Sequence, residues 1–187
     1  MELTEAHRGL VEWTGTRVDL VEPRHLSLPT PCTEWDVRAL LHHMVSGHLW
    51  VAPLVGGETI AEVGDRFEGD VLGSDPAAAW RAAASAASDA FEQPGALDRI
   101  VTLSSGDVPA RVYAQERLVD SFCHAWDLAR AIGADERIPD DLVAATEEAF
   151  EPFERSWRAS GAIGPVLETA PNAGPQTKLL ARLGRKG

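Results

Sequence analysis

Asp120 and His124 stand four residues apart in LVDSFCHAWDLARAIG, Leu118 to Gly133. The stretch has no internal Gly or Pro, and Gly133 closes it where a helix end favours the left-handed conformation. On a helix, side chains four apart lie one above the other. A carboxylate and an imidazole so placed converge on a point just off the helix surface, where they can share a metal ion. Two ligands are too few for a firm site, so a third must come from another element. Asp127, next to Trp126 on the same helix, has two readings. It is either a hydrogen-bond partner that orients a ligand histidine or an ion-pair partner of Arg38 or Arg130.

The elements able to position these groups are helices. Leu10, Val11, Thr14, Val18 and Val21 recur at helical spacing and predict a first helix over 3–22, ended by Pro23. Thr33 is the expected N-cap of a second helix, with Asp36 as the capping-box acid. Its apolar face is Val37, Leu40, Leu41, Met44, His48 and Val51, with His43 on the flank of that face and His42 toward solvent. Asp75-Pro76 opens a third, Ala-rich helix to about Phe91. Arg99 to Val112 reads as a small hairpin or extended loop, and the Asp120/His124 helix follows, starting near Pro109. A fifth helix begins at Pro139-Asp140 and is kinked or ended by Pro152. Residues 161–175 read as loop, and Gln176 to Leu183 as a short terminal helix. Helices with so little strand signal predict an all-α bundle, as one domain over 1–187.

A bundle builds metal sites from inward side chains on facing helices. Of the six histidines, His43 and His48 are therefore the complements to Asp120 and His124. His43 is preferred because the edge of an apolar face can reach a cavity mouth. His48 lies nearer the centre of that face, where a hydrogen-bonded core histidine is the simpler role.

Composition narrows the function classes. A formal charge of −12, from 29 acids against 17 bases, argues against nucleic-acid binding, which draws on clustered Lys and Arg. Arg182, Arg185 and Lys186 read as solvated tail. Cys32 and Cys123 form no CxxC, and both are expected to be structural. No segment approaches the roughly 18–20 apolar residues of a membrane span, and no basic start precedes a long apolar run. A cytoplasmic location is the expectation.

PTPCTEWDVRALLHHMVSGHLW, VDSFCHAWDLARAIG and the C-terminal QTKLLARLGR resemble an actinobacterial family of metal-binding proteins. These are related to the N-terminal domain of mycothiol-dependent maleylpyruvate isomerase, in the DinB/YfiT-like superfamily. The most specific pieces are W-x-V-R-x-L-x-x-H, Trp35 to His43, and H-x-W-D-L-A-x-A-x-G, His124 to Gly133. The resemblance implies a DinB-like four-helix bundle, up-down-down-up, with a divalent metal on three side chains. Carried onto this chain, these are His43, Asp120 and His124. Two departures stand out: Asp120 occupies a position where the isomerase pattern has Glu, and the sequence carries no counterpart of the isomerase's additional C-terminal domain. Both weaken maleylpyruvate as the expected substrate.

Two imidazoles and one carboxylate leave coordination positions open, as in catalytic rather than structural zinc sites. Zinc is the favoured ion, with Ni, Fe or Mn compatible with the same donors. The resemblance implies a low-molecular-weight thiol such as mycothiol as co-substrate. The expected function is thus a metal-dependent thiol S-transferase or isomerase acting on a small electrophile. The alternative is a non-catalytic metal- or ligand-binding bundle. No residue is assigned as catalytic, and a homodimer is compatible with either reading.

Overall fold

In the computed structural model, which describes residues 1–187, four long helices carry the architecture. They are α1 (Leu3–Val18), α2 (Val37–Leu49), α5 (Pro76–Glu92) and α6 (Ala110–Ile132). Between α2 and α5 lie the short α3 (Val51–Val55) and α4 (Ile60–Val63). After α6 come α7 (Asp140–Phe150), α8 (Glu154–Ser160) and α9 (Pro175–Arg182). In the bundle α1 packs on α5 and α6, and α2 packs on the same two helices from the other side. The chain folds as the all-α bundle that its periodicity predicts.

Local chemistry sets the boundaries. The first helix ends at Val18, sooner than the predicted 22, and a single tight turn, Pro23–His25, follows it. The start of α2 also differs from expectation. Asp36, not Thr33, is the N-cap, its carboxylate accepting from Ala39 N at 2.8 Å. Thr33 sits in a turn held instead by a Pro29–Asp36 bridge. Asp75 caps α5 as expected, accepting from Ala78 N at 2.9 Å. β1 (Ile100–Leu103) and β2 (Gly106–Pro109) form the antiparallel hairpin that delivers the chain into α6. Gly133 ends α6 at φ 69°, the left-handed geometry that costs a glycine nothing.

The core is built from three apolar clusters along the bundle. Leu10, Leu118, Phe122, Phe150 and Leu179 are all sealed from solvent, so α7 and α9 close the open side of the α1–α6 pair. Burial on this scale contributes about 1.5–3 kcal/mol per large apolar side chain. The alanines of α5, with Ala83, Ala84 and Ala87 buried, allow α1 and α2 to approach closely. α8, which the sequence does not announce, packs Trp157 on Phe150 and Phe153.

Candidate metal centre

Helix α6 presents Asp120 and His124 one turn apart, and α2 brings His43 to meet them. His43 Nε2 lies 3.4 Å from Asp120 Oδ1, and His124 Nε2 lies 3.5 Å from the same oxygen. Donors about 2.1 Å from a tetrahedral ion stand roughly 3.4 Å apart, so the spacing of these atoms is that of a ligand set. One ligand atom from each of the three residues falls within 4.8 Å of the others. The donor chemistry therefore fits a divalent ion.

Two carboxylates set the protonation of His124. His124 Nδ1 lies 3.1 Å from Asp127 Oδ2. A carboxylate accepts only, so Nδ1 carries a proton. Burial opposes a charge on His124, yet Asp120 at Nε2 and Asp127 at Nδ1 raise its pKa well above the ordinary value, so a metal ion at Nε2 would have to displace a proton there. Asp127 is sealed from solvent and offsets its charge with three partners: His124, the Cys32 thiol, and Arg185, which donates through Nη2 at 2.9 Å and Nε at 3.2 Å. Burial opposes ionisation of Asp120, yet Arg117 and the two imidazoles hold its carboxyl well below the usual range. Arg117 Nη2 reaches Asp120 Oδ2 at 3.2 Å, leaving Oδ1 for the histidines. That guanidinium fits against α2 because residue 47 is glycine: a Cβ there would overlap Arg117 Nη1.

Asp120 and His124 line a cavity of about 1100 Å³. Its walls include Trp35, Trp50, Tyr113 and Trp157, with Arg117 and Arg185 as cations. His43 joins from the side, its ring 4.7 Å from that of Trp35. Trp35 thus supports the site. Trp126 belongs to the core, under Arg130.

His48, the other candidate, is turned away. It is buried and its Nδ1 lies 2.8 Å from the Met44 carbonyl. Asp127 pairs with neither Arg38, which binds Asp70, nor Arg130, which binds Glu136. Two participants escaped the sequence reading. Arg185 is not solvated tail: the turn after α9 folds it onto Asp127 and to 3.3 Å from Cys32 Sγ. Cys32 lies 3.2 Å from Asp127 Oδ2 and faces the cavity. The one available signal was that QTKLLARLGR carries part of the resemblance. Cys32, His124 and Asp127 form a second compact donor group, but Arg185 already occupies its carboxylate. It also needs His124 Nδ1, whose proton goes to Asp127, so the His43 group is the better ligand set.

A helical bundle with two histidines and an acid at the wall of an aromatic cavity defines the class. The chain belongs to the mycothiol maleylpyruvate isomerase N-terminal domain family, whose model matches residues 7–129. Uncharacterized proteins from two strains of Mycobacterium tuberculosis, CDC 1551 / Oshkosh and ATCC 25618, are each 32% identical to it over 165 residues. The matched region covers 88% of this chain and 81% of each relative. No solved structure matches it significantly.

Proposed function

We propose that the protein is a metal-dependent enzyme that activates a low-molecular-weight thiol of the mycothiol type and transfers or isomerises a small electrophile. His43, Asp120 and His124 hold the metal, with zinc the favoured ion. The observation that carries this reading is the convergence of the three donors, two of which line a cavity large enough for a thiol cofactor. A bound divalent ion there would lower the pKa of a thiol or water enough to supply the nucleophile at neutral pH. The chain supplies the rest. Asp127 holds the His124 Nδ1–H, Arg117 keeps Asp120 ionised, and Trp35, Trp50, Tyr113 and Trp157 line the cavity.

The family supports a thiol as the small-molecule partner, while Asp120 in place of Glu argues against carrying over the isomerase's own substrate. Elemental analysis of the wild type, His43→Ala and His124→Ala tests the metal. About one equivalent of divalent ion in the wild type, lost in both variants, supports the reading. Mycothiol-dependent turnover of a panel of electrophiles then separates an enzyme from a binding protein. A metal-free wild type removes the proposed chemistry.

A further inference from the structure

Behind the cavity, the bundle interior holds a second polar group that the proposed chemistry does not use. His7 on α1 and His48 on α2 have ring centroids 5.7 Å apart. They are enclosed by Phe91 and Trp80, whose rings meet them edge-on. Three buried side-chain atoms have no hydrogen-bond partner in the protein: His7 Nε2, His48 Nε2 and Ser121 Oγ. Ser121 lies on α6 between Arg117 and Asp120 on one side and His124 on the other. Arg117, one helical turn before Ser121 and on the same face of α6, acts electrostatically on both imidazoles, which puts that face toward the histidine pair.

Their chemistry is complementary to one small molecule. His48 Nδ1 faces the Met44 carbonyl at 2.8 Å. A carbonyl only accepts, so Nδ1 is protonated and Nε2 is a bare lone pair in need of a donor. His7 Nδ1 lies 3.2 Å from Ser88 Oγ, which can either donate or accept. If Ser88 accepts, His7 Nε2 is also bare and needs a donor, and Ser121 can donate. If Ser88 donates, His7 Nε2–H is itself a donor, and Ser121 accepts. A molecule with two donors and two acceptors satisfies all three atoms in both cases. Leaving a buried polar atom unpaired costs about 1–3 kcal/mol, and internal waters typically make about three such bonds.

We infer that His7, His48 and Ser121 form a binding site for a single internal water molecule, bridging α1, α2 and α6. The ligand is neutral, because both imidazoles are sealed among apolar rings beside the buried Arg117. The site does not depend on the metal-centre reading.

A crystal structure at a resolution that shows ordered solvent tests it, together with histidine-ring NMR in solution. The expected result is one water within hydrogen-bond distance of both Nε2 atoms. His48 should show the Nδ1–H tautomer, with a nuclear Overhauser contact from its ring to long-lived water. Ser121→Ala, a small change that preserves the fold, should shorten the residence time of that water. Paired substitution His7→Phe with His48→Leu should abolish the contact. A dry site, a direct His7–His48 hydrogen bond, or anomalous scattering from a metal ion between the rings would each overturn the inference.

Discussion

Asp127 Oδ2 receives His124 Nδ1 at 3.1 Å and Arg185 Nη2 at 2.9 Å, so the C-terminal turn and the proposed ligand histidine are joined through one buried carboxylate. This relationship makes Asp127 a positioning residue. Asp127→Asn keeps the shape but allows an amide N–H to face Nδ1, which favours the tautomer whose proton sits on Nε2. The expected outcome is a roughly 10–100-fold loss of metal affinity, the usual consequence of removing such a partner. Competition with a chromogenic chelator measures it. Unchanged affinity would mean that the imidazole is held by packing alone.

Gly47 poses a conflict between two effects. In a helix interior Ala is favoured over Gly by about 1 kcal/mol, so backbone preference predicts that Gly47→Ala stabilises. The new Cβ, however, overlaps the Arg117 guanidinium, which is held between α2 and Asp120. Overpacking of this kind costs about 1–3 kcal/mol, so net destabilisation is the expected result of urea unfolding. A gain of the full helix preference would show that Arg117 swings clear at no cost.

The bundle was legible because helix signals are local. Apolar spacing, Asp75-Pro76 and Gly133 each act within a few residues, and each marks the expected element. Thr33 misled because Thr and Asp are both good N-caps. The Pro29–Asp36 bridge, a contact across the loop, decides for Asp36. Asp120 and His124 were readable from spacing on one helix, and His43 from its place at the edge of another. Arg185 and Cys32 were not, because they reach Asp127 from 58 and 95 residues away, and no periodicity records such a meeting. His48 was the second candidate on its helix face, with a hydrogen-bonded core histidine the simpler role. Its Nδ1 contact with Met44 O, a local one, bears out that core role.

Acid should weaken the fold through the buried histidines. Burial is the main cause that pushes His48 down to about 4, with Arg117 and His43 acting in the same direction and the Met44 carbonyl and Asp120 opposing. His7 is lowered well below its ordinary value by burial, then by His48, Arg117 and Arg8. Because the unfolded chain takes up these protons first, the stabilisation is complete above about pH 6.5. It is lost as the pH falls from there through the folded-state values. For His48 alone the loss is on the order of 3 kcal/mol by pH 4. Urea unfolding from pH 7 to 4 should show this acid limb, and His48→Gln should make it shallower. A limb unaltered in that variant would assign the acid sensitivity to other groups.

Metal addition discriminates between the two histidines of α2. A ligand at 100 times its Kd stabilises by about 2.7 kcal/mol, and in a chain of this length each kcal/mol moves Tm by roughly 2–4 °C. Zinc should therefore raise Tm by about 5–11 °C in the wild type. His43→Ala removes a donor 3.4 Å from Asp120 Oδ1 and should abolish most of the shift. His48→Gln lowers the starting Tm but should leave the shift intact, because its imidazole is committed to Met44 O and buried against Trp80. If the shift instead survives in His43→Ala and disappears in His48→Gln, α2 must rotate its apolar face toward α6 on binding metal. The site would then be assembled by the ion rather than offered by the fold.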